Sequence, residues 1–110
     1  MLTTRQIINQ AGELLKLRVR RNRHHYHNGN FTSYCVVGAA EHIAGKYYWH
    51  MEDVVVNLCK LVGANPSIEP SSLFVLWDNA TDEEQDAIVE KMIAYTDDVH
   101  LQDQTPPSPA

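Results

Sequence analysis

The chain has no apolar run long enough to cross a bilayer. Its longest apolar stretches, around residues 34–44 and 73–77, fall well short of the roughly 20 residues that a membrane helix needs. No membrane segment is expected. Cysteine is scarce as well: Cys35 and Cys59 stand alone and form no Cys-x-x-Cys metal or redox pair. Two isolated thiols are most simply buried ones in a reducing compartment. The opening residues Met1-Leu2-Thr3-Thr4-Arg5-Gln6 lack the basic-then-apolar order of a secretory signal. The expected location is the cytoplasm. Charge of one sign is scarce in each half. Residues 1–50 hold seven Lys/Arg against two acids, and residues 51–110 hold two against twelve. The halves carry +5 and −10, which sum to the net −5 of the chain. Such a split predicts two faces of opposite sign that dock on each other or on partners.

What is present describes one small helical domain. A chain of 110 residues makes at most one domain. Its 44% apolar and 21% charged residues are ordinary for a globular protein. Thr3-x-x-Gln6 is a capping box. Ile7, Ile8, Ala11, Leu14 and Leu15 then recur at helical spacing, predicting a helix over about 4–17. From Lys16 the pattern turns to a period of two, so the helix either runs on to end near Val19, the preferred reading, or gives way to a short extended segment. Gly12 within it suggests close approach of another element. Asn28-Gly29 is a turn signal that leaves room for a small β-hairpin over 23–32, with Tyr26 and Phe31 flanking the turn. Ser33 is the expected cap of a central apolar helix over about 34–44, and Gly45 its stop. A helix over about 51–62 follows, with Glu52 and Asp53 in its first turn and Lys60 in its last. Residues 73–77 are either a short helix capped by Ser71 or Ser72, or a buried strand. Thr81-Asp82-Glu83-Glu84 is a second capping box, opening a helix over about 82–96 with Ala87, Ile88, Met92 and Tyr95 facing the core. The expected architecture is all-α or mainly α, four to five short helices within residues 1–96. Residues 97–110 form an acidic, Pro-rich tail expected to be mobile.

Two short elements resemble a known family. Cys35-Val36-Val37-Gly38-Ala39 is similar to a Cys-x-x-Gly-Ala element, and Leu76-Trp77-Asp78-Asn79-Ala80-Thr81 to a Trp-Asn-Asp element with its polar pair inverted. Both resemble landmarks of a small family of actinobacterial and phage proteins, a domain of unknown function. The resemblance spans about residues 7–95. It implies a helical fold and a bacterial or phage setting, and it brings no activity with it.

Five groups of residues carry candidate chemistry. Cys35 is a candidate nucleophile, because a thiol in a first helical turn meets unpaired N–H groups that favour thiolate. A cysteine hydrolase or transferase also needs a histidine base and an orienting Asn or Asp, and no spacing supplies them. The simpler reading is a small buried hydrophobe. His24, His25 and His27, with Cys35 as a fourth ligand, are candidate metal ligands, but the spacing matches no tight zinc pattern. No cofactor is expected. Lys16, Arg18, Arg20, Arg21 and Arg23 with Tyr26 offer phosphate contact and base stacking to a nucleic acid, or ion pairs to the acidic helix. Asp82, Glu83, Glu84, Asp86 and Glu90 form a carboxylate strip that suits a protein partner, or simply a solvated face. Tyr47, Tyr48 and Trp49 either close the core or form a contact surface, and exposure decides between them. The leading expectation is a non-enzymatic interaction or inhibitor protein of phage or mobile-element type. It would bind a host protein or protein–nucleic-acid complex, such as a host-defence enzyme, through its charged faces. The alternatives are a nucleic-acid-binding module using residues 16–27 and a hydrolase or transferase centred on Cys35.

Overall fold

The structure, a computed structural model, describes residues 2–23, 25–27, 29 and 32–96. The proposed tail at 97–110 lies outside them. Among the described residues the chain forms five α-helices and no strand: α1 (Thr4–Leu15), α2 (Val36–Ala44), α3 (Glu52–Val62), α4 (Ser71–Asn79) and α5 (Asp82–Ala94). Two 3₁₀ turns, Arg18–Arg20 and Tyr48–His50, lie between α1 and α2 and between α2 and α3. None of the helices is long and apolar enough to cross a membrane.

Both capping boxes form. Thr3 Oγ1 accepts from the Gln6 N–H at 3.1 Å while Gln6 Oε1 accepts from the Thr3 N–H at 2.9 Å. Thr81 and Glu84 repeat the arrangement at the start of α5. α1 ends at Leu15, short of the expected Val19, and a side chain from further along explains where. Arg21 folds back and donates to the Leu15 carbonyl at 2.8 Å and the Lys16 carbonyl at 3.3 Å, which satisfies acceptors that the helix leaves open. α2 starts later than expected, because its cap is Cys35 and not Ser33. Cys35 Sγ accepts from the Gly38 N–H at 3.3 Å, while Ser33 accepts from Asn22 Nδ2 at 3.1 Å. Gly45 (φ 70°) and Gly63 (φ 79°) end α2 and α3 in the left-handed conformation, as the sequence pattern requires. Residues 73–77 are helical: Leu73 and Trp77, four apart, are buried while Val75 is exposed, a spacing that a strand does not give. α4 follows Pro70, with no side-chain cap from Ser71 or Ser72.

Among the described residues, the segment of the expected hairpin over 23–32 shows only isolated bridging to Tyr34. Tyr34 bridges both ends of the loop, pairing in parallel with Arg21 and antiparallel with His27. Its N–H donates to the Arg20 carbonyl at 2.8 Å, and the Asn22 N–H donates to the Tyr34 carbonyl at 3.0 Å. The Cys35 N–H donates to the Tyr26 carbonyl at 3.0 Å. Asn28 and Phe31, part of the expected hairpin, lie outside the described residues. Residues 20–22 and 25–27 are thereby held at the start of α2, where glycine is needed. A Cβ on Gly38 would overlap the Tyr26 carbonyl.

The expected central role of α2 is shared with α1, which packs against α2, α3 and α5. Its stripe of Ile7, Ile8, Ala11 and Leu15 is buried. A Cβ on Gly12 would stand 2.9 Å from Met92 Cβ and Ile93 Cγ1, so glycine sets the approach of α5. Beside it Asn9 Nδ2 donates to the carbonyls of Met92 and Tyr95, both at 2.9 Å, capping the end of α5 from another helix. α5 buries Gln85, Ile88, Val89 and Met92, with Tyr95 just beyond its end, whereas Ala87 is exposed. Trp77 ties three parts together. Its indole Nε1 donates to the Asn22 carbonyl at 2.8 Å, and its own carbonyl accepts from Gln85 Nε2 at 3.0 Å.

Candidate functional site

The two charged faces meet each other within the chain, in ion pairs that lie largely at the surface. Asp86 on α5 receives a two-pronged contact from Arg18, at 3.2 Å from Nε and 2.6 Å from Nη2, and a further bond from Arg21 Nη1 at 2.8 Å. Arg23 Nη2 donates to the Ala80 carbonyl at 2.7 Å and to Asp82 at 3.2 Å. Glu83 lies 3.8 Å from Arg18. Hydrogen bonds from Arg18 and Arg21 hold the Asp86 carboxyl at about 2, well below the usual carboxylate range. The Arg21 side chain is only 5% exposed. Three of the four arginines in 18–23 are thus engaged by α5 and its cap and are not a free phosphate-binding stripe. Tyr26 is engaged too, its ring stacked on Phe74 at 5.0 Å. Lys16 and Arg20 remain exposed, with no ion pair among the described residues. On α5, Glu83, Glu84 and Glu90 are exposed.

Cys35 does not have the setting of a nucleophile. It is 1% exposed, and burial pushes its thiol from 9.0 up to about 11, against the smaller opposing effect of the Gly38 and Val37 N–H groups. Burial therefore outweighs the helix end. The native thiol should alkylate with iodoacetamide about a hundredfold more slowly than a thiol at its reference value, and unfolding should abolish the difference. A fast native reaction at Cys35, located by peptide mapping, would contradict this. Among the described residues no group of three His, Cys, Asp or Glu is placed to hold a metal ion. His24, one of the candidate ligands, lies outside the described residues. His25 and His27 are exposed.

A different surface is assembled where the sequence signal is weakest. Tyr47 and Trp49 are 59% and 53% exposed. Their rings stack at 4.6 Å with 14° between planes. Tyr48 is half-buried against the core, with its ring edge-on to Trp49 at 5.0 Å and to Tyr26 at 6.3 Å. The linker therefore splits its aromatics, one into the core and two outward. The split falls where the backbone changes, from extended at Tyr47 (φ −78°, ψ 158°) to the 3₁₀ turn that begins at Tyr48. The outward pair forms a ridge between two clefts of about 350 Å³ each. One is lined by His27, Tyr34, Glu41, His42, Lys46 and Tyr47. The other is lined by Leu2, Lys46, Trp49, His50, Glu52 and Asp53, among others. In the first, Glu41 is half-buried, and its Oε2 accepts from the Tyr48 N–H at 3.0 Å. Burial pushes the Glu41 carboxyl up, offset in part by that N–H and by His27. The Tyr34 ring lies 5.0 Å from that of His42.

Reading the sequence for function missed Glu41 and His42, which look like ordinary polar positions of an apolar helix. The available signal was a carboxylate in a stretch otherwise dominated by Val, Ala and Gly. Both elements that carry the family resemblance serve packing here: Cys35 and Gly38 seat the loop on α2, and Trp77 joins α4 to Asn22 and Gln85. No protein-family model, curated protein or solved structure matches the chain.

Proposed function

We propose that the protein is a non-enzymatic binding protein that engages a macromolecular partner through the corner built by Tyr47 and Trp49. The observation that carries this reading is the exposed stacked pair, with ring centres 4.6 Å apart. Rigid aromatics lose little conformational freedom on binding and are enriched at interface hot spots. The charged faces contribute less than the sequence suggests, because Arg18, Arg21 and Arg23 already pair with Asp82 and Asp86. Net charge −5 still favours a partner with a basic contact surface. In keeping with the resemblance at Cys35–Ala39 and Leu76–Thr81, we look for that partner in an actinobacterial host cell, with the protein acting as a phage or mobile-element factor.

Capture from a host lysate tests this. Trp49→Ala and Tyr47→Ala should each weaken retention of the captured partner by about tenfold or more, the effect of losing a hot-spot side chain. Glu83→Lys, on exposed α5, should leave retention within about twofold, as expected for a residue away from the contact. The opposite pattern would return the interface to the acidic helix.

A further inference from the structure

The cleft beside Tyr47 has the makings of a cation site. Its one carboxylate, Glu41, is held in place through Oε2 by the Tyr48 N–H at 3.0 Å, which leaves Oε1 for a ligand. The cleft also reaches Gly45, where α2 ends. A helix C-terminus carries partial negative charge and favours cations. Tyr34 and Tyr47 line the walls, and aromatic faces attract guanidinium groups. The space, about 350 Å³, lies at the small end of ligand clefts. An anion entering it would meet both a carboxylate and the wrong end of a helix dipole. Two groups oppose a cation here, His27, whose charge already acts on the Glu41 carboxyl, and Lys46; both are exposed, and Lys46 follows Gly45 and also lines the neighbouring cleft. Its long flexible stem lets the ammonium stay in water.

We propose that this cleft receives the guanidinium of an arginine side chain from the partner, with Glu41 as its counter-charge and Tyr47 as its stacking face. An ammonium satisfies the charge but not the geometry. The planar fork of arginine can bond the carboxylate and lie flat on an aromatic ring together. Burial of Glu41 adds to the case, because a carboxylate short of water gains more from a cation than a solvated one does. The proposal rests on the reading of Tyr47 and Trp49 as a partner surface and names the anchor that this surface would take.

The test uses two short peptides, acetyl-Gly-Arg-Gly-amide and the same peptide with citrulline, which keeps the shape but not the charge. Binding is followed by amide chemical shifts of the full chain. The arginine peptide should shift the amides of Glu41, Tyr47 and Tyr48, and the citrulline peptide should bind about tenfold more weakly, the usual scale for a charged hydrogen bond. Glu41→Gln keeps an acceptor for the Tyr48 N–H, so the fold should hold while arginine binding falls to the citrulline level. Tyr47→Ala should also weaken it. Equal binding of both peptides, or shifts confined to α5, would overturn the proposal. If the arginine peptide fails while Tyr47→Ala and Trp49→Ala still release the captured partner, the anchor is wrong and the binding surface stands. If those variants also retain the partner, both readings fall.

Discussion

Gly38→Ala should be the most damaging single-methyl change in the protein. The added Cβ would overlap the Tyr26 carbonyl, a backbone atom that cannot swing away as a flexible side chain does. Relief requires lifting residues 20–22 and 25–27 off α2. That movement breaks the Cys35 N–H bond to Tyr26, 3.0 Å long, and disturbs the bridges at Tyr34. A loss of about 3 kcal/mol is expected from urea unfolding. Gly45→Ala provides the contrast. Gly45 has φ 70°, but a methyl group added there would meet nothing within 4 Å. Only the left-handed backbone penalty then applies, about 1 kcal/mol. Equal losses at the two glycines would show that the Tyr26 carbonyl is not seated on α2.

Trp77→Ala should cost more still, about 3–5 kcal/mol, the usual range for emptying a large buried aromatic site. Trp77 is fully buried, and its indole donates to the Asn22 carbonyl, a bond the substitution removes, whereas the bond from Gln85 to its backbone carbonyl remains. Trp77→Phe separates the contributions. It keeps most of the packing but leaves the Asn22 carbonyl without its indole donor, which should cost about 1–3 kcal/mol. The second tryptophan makes the site easy to observe. In a Trp49→Phe background the remaining emission should be blue-shifted and resistant to acrylamide, as suits a ring with 0% exposure. Ready quenching in that background would contradict the placement of Trp77.

Much of the fold is legible in the sequence because local chemistry agrees with the tertiary outcome. The capping boxes at Thr3 and Thr81 form as written, and Gly45 and Gly63 end the helices they follow. The apolar stripe from Ile7 to Leu15 becomes the buried face of α1. Misreadings cluster where a distant group decides a local feature. α1 stops at Leu15 because Arg21 returns to cap it. α2 begins at Val36 because Cys35 takes the cap and Ser33 is occupied by Asn22. No periodicity contains either contact. The hairpin reading of 23–32 followed Asn28-Gly29, but Tyr34 supplies the pairing for residues on both sides of the loop.

The candidate site was harder to read. The charge split between the halves of the chain is visible in composition, and so is the option that the halves pair. Which arginines pair depends on Arg18 and Arg21 converging on one residue of α5, Asp86, more than sixty positions away. Because those charges are paired within the molecule, the proposed contact surface is placed at Tyr47 and Trp49 instead. Whether three consecutive aromatics face in or out is set by the 3₁₀ turn they enter, which sequence spacing does not reveal.

Three arginines of the basic segment, Arg18, Arg21 and Arg23, pair with α5 within the molecule. A double-mutant cycle on Arg21 and Asp86, read as urea midpoints, probes this pairing without intermediaries. Asp86→Leu alone strands the Arg21 guanidinium, whose side chain is 5% exposed, without its carboxylate, so a marked fall in midpoint is expected. Arg21→Met alone should also destabilise, since the cap on Leu15 is lost with the charge. The double variant should be no less stable than Asp86→Leu alone, because removing the guanidinium removes the stranded charge. Simple addition of the two single losses would contradict the internal pairing, and would return Arg21 to the solvent-facing stripe on which a nucleic-acid contact depends.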